Sequence, residues 1–315
     1  MKILVTGGAG FIGSHVVDAL IAEAHEVFVI DNLSTGLMTN LNEKAKFYCE
    51  ELGNFHRIEE IIKKEKPESI YHLAAQINLR KSIENPVFDA KNNILNTLFL
   101  LETARKNNLQ KFIFSSTGGA IYGDTELIPT HESHPPKPLS PYGCAKLSVE
   151  NYLNFYNQVY GLKFSILRYS NVYGPRQNPY GEAGVISIFL EKMSKNEIPV
   201  IYGNGSQTRD FVYVGDVARA NLLALKDNKS ETYNVGTGIE TSVLELFLKL
   251  NKLFKNKFES KFAEKKDGEQ KRSSLSYGKI REALAWKPEV FIDEGLKRCF
   301  DWYKEDIKNS SKNSI

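Results

Sequence analysis

Seven residues near the start of the chain, Gly7-Gly8-Ala9-Gly10-Phe11-Ile12-Gly13, constrain the fold more than any others. They follow a short apolar run, Lys2–Thr6, and lead into a helix-like segment, Ile12–Glu23. Glycines at this spacing let backbone N–H groups approach a pyrophosphate, and the helix behind them points its positive end at it. A second apolar run, Glu26–Ile30, ends at Asp31. An acid there bonds both ribose hydroxyls of an adenosine and repels a 2′-phosphate. Strand, loop, helix and acid together therefore predict an NAD site rather than an NADP site. The plainer alternative is a glycine-rich turn with an incidental acid.

The same alternation continues through the first half. Lys46–Cys49, Ser69–Leu73, Lys111–Ser115 and Phe164–Leu167 read as further strands, apolar without strict alternation, as strands buried on both faces are. Helix-like segments Phe55–Lys64, Phe88–Asn107 and Gly143–Tyr160 lie between them. The pattern predicts an α/β, Rossmann-like, doubly wound parallel sheet. After Arg168 it loosens. Pro, Gly, Asn and Tyr crowd Asn171–Glu182, helices are expected at about Val185–Lys195 and Thr241–Phe254, and short strands near Val200–Tyr202 and Phe258–Phe262. This reads as a smaller mixed α/β C-terminal substrate domain. Residues 1–169 would form the NAD-binding domain, with a later stretch of about 206–236 returning to it, and residues 170–315 the substrate domain. The polar tail from Lys304 is expected to fray.

Composition narrows the function classes. The 315 residues are 42% apolar and 25% charged, the balance of a folded globular chain. The 41 basic and 38 acidic residues are mixed, so no basic block points to nucleic acid as a partner. The three cysteines are far apart without CxxC spacing, which predicts neither a disulfide framework nor a metal site and fits a reducing compartment. No apolar run reaches the ~18 residues of a membrane span, and the first strand is too short for a signal-peptide core. A cytoplasmic location is expected.

Tyr142-Gly143-Cys144-Ala145-Lys146 opens a helix just after Pro141. Four residues make about one turn, so the tyrosine and lysine share a face. A phenol of ordinary pKa ~10 is a poor base at neutral pH, but a nearby ammonium and a bound nicotinamide cation both favour the phenolate. An ordinary amphipathic helix would carry the same two residues. The third piece is the strand Lys111–Ser115, which runs into Ser116-Thr117-Gly118-Gly119. Hydroxyls at the carboxyl end of a parallel strand sit where such sheets bind ligands, and Ser116 and Thr117 both compete for that place.

At this point the chain resembles the extended short-chain dehydrogenase/reductases, and within them the UDP-glucose 4-epimerases. The resemblance spans nearly the whole chain. Besides the glycine loop and the Tyr142/Lys146 pair it rests on Asp31-Asn32-Leu33-Ser34-Thr35-Gly36, His72-Leu73-Ala74-Ala75, Asn93, the strand end at Thr117, and the run from Leu167 to Gln177. Further matches are Gly181 to Ile186, Tyr202 to Gly205, Arg209 to Val214 and Asn234 to Gly238. The resemblance implies that Gly7, Gly10, Phe11, Ile12, Asp31, Asn32 and Ser34 hold the adenosine and diphosphate of NAD, with Leu52 where the family has an adenine-binding acid. Ala74, Ala75, Asn93, Tyr142, Lys146 and Tyr169 would hold its nicotinamide half. Asn171, Gly184, Val185, Ile186, Tyr202, Arg209, Lys266 and Glu269 fall in segments that take UDP. Asn171 also reads as a turn residue, Arg209 as a surface partner of Asp210, and Lys266 and Glu269 as part of a solvated loop.

The implied reaction is reversible C4 epimerisation of a UDP-hexose through a transient 4-keto sugar, with Thr117, Tyr142 and Lys146 catalytic. The family's 4,6-dehydratases carry Asp-Glu where Gly118 and Gly119 stand here, which argues against that chemistry. UDP-N-acetylglucosamine or UDP-glucuronate 4-epimerases, and a catalytically silent NAD sensor, remain as alternatives. Ser273 falls where epimerases restricted to glucose and galactose often carry a bulky tyrosine, which predicts room for an N-acetyl group. A strand over Ser273–Tyr277 is the plainer reading there. Surplus apolar residues on Phe88–Asn107 and Gly143–Tyr160 predict a homodimer through a four-helix interface.

Overall fold

The computed structural model describes residues 1–180, 184–265 and 270–312, with side chains through Glu305. Its first half runs β1 (Lys2–Thr6), α1 (Phe11–Ala22), β2 (Glu26–Asp31), β3 (Lys46–Cys49), α2 (Phe55–Glu65), β4 (Ser69–His72), α3 (Leu79–Glu84), α4 (Pro86–Ala90), α5 (Asn96–Lys106), β5 (Lys111–Thr117), α6 (Gly118–Ile121), α7 (Pro141–Tyr160) and β6 (Lys163–Tyr169). The second half runs β7 (Asn171–Tyr173), α8 (Val185–Ser194), β8 (Val200–Tyr202), β9 (Thr208–Arg209), β10 (Phe211–Tyr213), α9 (Val214–Lys226), β11 (Glu231–Val235), β12 (Thr241–Ser242), α10 (Val243–Leu253), β13 (Lys261–Ala263), α11 (Gly278–Leu284) and α12 (Ile292–Lys312).

Seven parallel strands form one sheet in the order β11-β6-β5-β4-β1-β2-β3. Alternate residues of each strand face opposite layers. Ile3, Val5, Val29, Tyr71 and Ile113 point into a core closed by α1 and α9. Leu4, Phe28, Ile30, Phe112 and Phe114 point into a core closed by α2, α5 and α7. Each such side chain, fully buried, contributes about 1.5–3 kcal/mol. The direction of winding reverses between β1 and β4, and the crevice outside their carboxyl ends is where open α/β sheets take ligands. A third core, with Tyr173, Phe189, Phe211, Leu246, Phe247 and Phe300, lies beyond β6 and unites β7, β10, α8, α10 and α12.

The expected helix over Phe88–Asn107 is two helices. Asn85 caps α4, its side chain accepting from Phe88 N at 2.9 Å, with Pro86 in the first turn. A π-helical turn over Lys91–Leu95 then separates α4 from α5. From α5 the Thr97 hydroxyl donates back to Asn93 O at 2.8 Å, and the Asn93 amide turns away to Gln76. Such π turns set a side chain where a regular helix could not. The expected strand over Ser273–Tyr277 makes only an isolated bridge, Leu275 with Thr130, because Thr130 is a single residue offering its N–H to Ser274 O and its carbonyl to Ser276 N. The strand expected over Phe258–Phe262 is shifted to Lys261–Ala263, since Phe258 is drawn into the third core. Among the described residues no helix is long and apolar enough to cross a membrane.

Candidate active site

The glycine loop is tight because backbone must pass backbone. Gly7 has φ +73°, in the left-handed region that favours glycine, and a Cβ there would stand 2.7 Å from Ala74 N. A Cβ on Gly13 would stand 2.0 Å from Gly7 O. Gly10 begins α1 without a side-chain cap, so its first-turn N–H groups have no side-chain oxygen from that residue. Asp31 fixes the loop from below, its Oδ2 accepting from Ala9 N at 3.0 Å and its Oδ1 from Leu33 N at 2.8 Å. The carbonyl of Ala9 is held by Leu37 N and by Asn40 Nδ2. Asn32 is exposed and takes Ser34 N on its Oδ1 at 3.1 Å. Phe11 and Ile12 pack against the third core, which leaves their backbone for the crevice. Leu52 lies half-buried against the α2/α5 core. The loop is thus a cradle of backbone that added side chains would fill, which fits a dinucleotide diphosphate.

Behind the crevice runs a chain of hydrogen bonds with one permitted direction. Thr97 spends its proton on Asn93 O, so it must accept from His72 Nε2, 2.8 Å away. His72 Nδ1 then accepts from Thr6 Oγ1 at 2.7 Å, and Thr6 Oγ1 accepts from Ala74 N at 3.3 Å. Burial pushes the His72 imidazole down to about 3, so it stays neutral and keeps that tautomer. Asn93 clamps Gln76, accepting from its N–H at 2.8 Å and donating to its carbonyl at 2.9 Å. Ala74 and Ala75 are therefore held at both ends. The Asn93 amide is fully spent on this clamp and on Asp89 Oδ1, so it braces the wall of the crevice.

Helix α7 starts where Ser140 caps Gly143 N at 3.1 Å and Pro141 fits the first turn. This projects Tyr142, Lys146 and Glu150 along one face. Lys146 is 4% exposed. Its Nζ donates to Ser115 O at 2.8 Å and stands 4.7 Å from the Phe114 ring centroid and 5.9 Å from that of Tyr142. Burial lowers the Lys146 ammonium to about 8, opposed by the charges of Asp89 and Glu150. Burial, with the Asp89 charge, raises the half-buried Tyr142 phenol above its usual range.

Ser116 and Thr117 are told apart by their partners. The buried Ser116 hydroxyl donates to Glu150 Oε1 at 2.6 Å. Glu150 is also gripped by Arg168, through Nε to Oε1 at 3.0 Å and Nη2 to Oε2. Arg168 Nη1 reaches Tyr122 OH at 2.8 Å, which donates to Asn234 Oδ1 at 2.8 Å. Thr117, half-exposed at the end of β5, accepts from Ala120 N at 3.2 Å and has its hydroxyl proton left to give. The Tyr169 ring lies elsewhere. It is buried in the α1/α9 core on the other face of the sheet from α7, its hydroxyl on Asn221.

The second set of sequence-chosen residues gathers past β6. Asn171 is exposed at the start of β7, its N–H on Asp210 O at 2.9 Å. Gly184 and Val185 open α8, while the Ile186 side chain is buried in the third core and leaves only its backbone for binding. Tyr202 ends β8, 40% exposed. Arg209 sits in β9, its Nη1 on Thr208 O at 2.7 Å. Lys266 and Glu269 lie outside the described residues. Asp210 is fully buried, accepting from Thr237 N and Oγ1, Gly238 N and Leu275 N. Sequence reasoning missed this hub, as it missed Asp89 and the Glu150–Arg168 pair. A charge placed amid apolar strand residues was the available signal for Arg168 and Asp210.

A glycine cradle at the switch point of a parallel sheet, beside a tyrosine–lysine helix, defines a class of dinucleotide-dependent enzymes. The model of the NAD dependent epimerase/dehydratase family matches residues 3–236, and the chain belongs to that family. More particularly it is similar to the UDP-glucose 4-epimerase of Thermotoga maritima, solved with UDP-glucose, at 48% identity and TM-score 0.96, covering 98% of this chain and 100% of that one. The UDP-glucose 4-epimerase of Thermus thermophilus, solved with NAD, is 41% identical at TM-score 0.91, covering 96% and 99%. The UDP-glucose 4-epimerase of Mycolicibacterium smegmatis is 39% identical over 96% of this chain and 99% of its own length.

Proposed function

We propose that the protein is an NAD-dependent 4-epimerase of UDP-hexoses, interconverting UDP-glucose and UDP-galactose. The observation that carries this reading is the Tyr142–Lys146 pair on one face of α7, with Lys146 bonded to Ser115 O two residues before Thr117 in the strand β5. NAD, when bound, supplies a hydride acceptor and returns the hydride. Tyr142 takes the proton of the sugar's 4-hydroxyl and gives it back. The Lys146 ammonium, held by Ser115 O, favours the phenolate at this separation. The Thr117 hydroxyl would hydrogen-bond the C4 oxygen, keeping its own proton. The free protein holds Tyr142 as a neutral phenol, so its activation waits on the loaded site.

Gly7, Gly10, Phe11, Ile12, Asp31, Asn32, Ser34 and Leu52 form the adenosine-diphosphate side of the NAD site, and Ala74, Ala75 and Asn93 its nicotinamide wall. Asn171, Gly184, Val185, Ile186, Tyr202, Arg209, Lys266 and Glu269 take UDP, which anchors the substrate while the sugar turns over. Residues 1–169 with about 206–236 make the cofactor-binding part, and the rest of 170–315 the substrate part. The pairing of β11 with β6 and the packing of α9 on α1 support that division. A homodimer is supported by an apolar stripe at the surface of α4 and α7 and the π turn between α4 and α5. Val87 is 79% exposed, Leu95 56%, Phe155 46% and Val159 57%. Free thiols at Cys49, Cys144 and Cys299 support a cytoplasmic setting.

The second substrate reading rests on Ser273. Its small side chain follows Arg272, which is paired with Glu240, and precedes Leu275, packed against Gly118 beside Thr117. Ser273 is buried, and a serine there takes less space than the tyrosine of the restricted epimerases, which is what would admit the acetamido group of an N-acetylhexosamine. The test is incubation of the purified protein with UDP-galactose, UDP-N-acetylgalactosamine and UDP-galacturonate without added NAD. The reading expects the C4 epimer of UDP-galactose, with the N-acetyl sugar turned over within about tenfold if Ser273 is the gate and losses there of ~1–3 kcal/mol are avoided. No epimer from any of the three would leave the silent NAD sensor standing.

A further inference from the structure

One buried acid stands beside the reactive pair without a cation bonded to it. Asp89, on α4, is 1% exposed. Its Oδ1 accepts from Gln76 Nε2 at 2.9 Å and from Asn93 Nδ2 at 3.0 Å, which fixes the carboxylate against the crevice wall. Its Oδ2 is buried with no hydrogen-bond partner among the described residues. Helix α4 packs directly on α7, which carries Tyr142 and Lys146. Both neighbouring amides are neutral, and Lys91, two residues on, is exposed.

The surroundings of Lys146 point the same way. From its own helix it meets Tyr142, a neutral phenol, and Glu150, whose charge is already matched by Arg168. From β5 it meets only the carbonyl of Ser115 and the ring of Phe114. From β4 it feels His72, which is neutral. An ammonium buried this deeply loses its hydration and needs a compensating charge to stay protonated. Of the other acids on helices packed against α7, Glu84 of α3 is exposed and Glu102 of α5 is paired with Arg105, whereas the charge of the buried Asp89 acts on Lys146 and has no cation bonded to it.

We propose that Asp89 is a positioning residue for the reaction: its carboxylate is the counter-charge that keeps Lys146 cationic inside the crevice, while its other oxygen ties that charge to Gln76 and Asn93. The inference rests on the reading of Tyr142 and Lys146 as the reactive pair. The charge of Asp89 acts on both members, raising the Tyr142 phenol and holding up the Lys146 ammonium. It therefore keeps the pair in the phenol–ammonium form until the site is loaded.

The test uses the whole protein with 13C at lysine Cε, the Lys146 signal being identified by its loss in Lys146→Met. In the wild type the Lys146 midpoint is expected well below that of a free lysine, since burial lowers it to about 8. In Asp89→Asn, which keeps an oxygen for Gln76 and Asn93, the midpoint should fall, by about one unit for the loss of a nearby opposite charge. The alkaline limb of kcat should move to lower pH with it. An unchanged midpoint, with kcat reduced alike at every pH, would show that Asp89 only braces the wall. If Asp89→Asn does not fold, the Asp89 carboxyl is followed by 13C in Lys146→Met. Its titration should move up relative to wild type, and no movement overturns the pairing. Absence of epimerase activity in the wild type would refute the proposed function but leave both titrations readable.

Discussion

Replacing Glu150 by leucine should cost the protein a large part of its stability. Glu150 is 3% exposed and Arg168 6%, so the pair is out of water. Glu150 accepts from Arg168 Nε at 3.0 Å and Nη2, and from Ser116 Oγ at 2.6 Å. Removing the acid strands the guanidinium, which costs about 3–5 kcal/mol, and leaves the serine hydroxyl without its acceptor, about 1 kcal/mol more. Domain stabilities are commonly about 5–15 kcal/mol. With a urea slope of ~3 kcal/mol/M, the unfolding midpoint should fall by more than about 1 M. Arg168→Met added to Glu150→Leu removes the stranded charge and should recover most of that loss, since apolar replacement of a buried pair is often neutral. Circular dichroism against urea reads all three proteins. The reasoning fails if the single variant unfolds within ~0.3 M of wild type, or if the double variant is less stable than the single. The pair also ties α7 to the ends of β5 and β6, so surviving Glu150→Leu protein should lose kcat through misplacement of Tyr142.

Three further outcomes follow from the site. Lys146 has its pKa lowered from 10.5 to about 8 on folding, which corresponds to at most about 3 kcal/mol held against the folded state. Between those values the unfolded chain binds more protons than the folded one, so wild-type stability rises with pH there. The stability of Lys146→Met relative to wild type should therefore fall as pH rises from about 8 to 10.5, on top of a constant cost for the Ser115 carbonyl and Asp89 carboxylate left without the ammonium; a pH-independent difference in urea midpoint would contradict this. Gly13→Ala puts a Cβ 2.0 Å from Gly7 O, so calorimetric titration should show NAD binding weakened by tenfold or more (about 1.4 kcal/mol), and unaltered affinity would remove the loop from the cofactor site. Val87→Asp with Phe155→Asp should convert a dimer into a monomer by light scattering at micromolar concentration, and a wild-type monomer would refute the dimer.

Much of the sheet is legible in the sequence because its strands are short apolar runs separated by amphipathic helices. β1, β3 and β8 fall on the expected residues. What escaped depends on contacts remote in the chain. The π turn at Asn93 arises from Gln76, and Ser273–Tyr277 stops short of a sheet strand because only Thr130 meets it. In the site, the glycine loop and Tyr142–Lys146 show as local spacings. The choice between Ser116 and Thr117 does not, because it turns on Glu150, a full helix arm away. The surroundings of Tyr169 are of the same kind: the motif around it is local, but its hydroxyl is held by Asn221, on α9.

The central claim is tested most directly with UDP-galactose carrying deuterium at C4, incubated with the protein and, separately, with Tyr142→Phe. If the hydrogen leaves C4 as hydride and returns within one closed site, the product UDP-glucose keeps its deuterium and takes none from water. Loss of one positioned base should slow turnover by about 10²–10⁴-fold in Tyr142→Phe. Deuterium lost to solvent, or Tyr142→Phe turning over at the wild-type rate, would contradict the account.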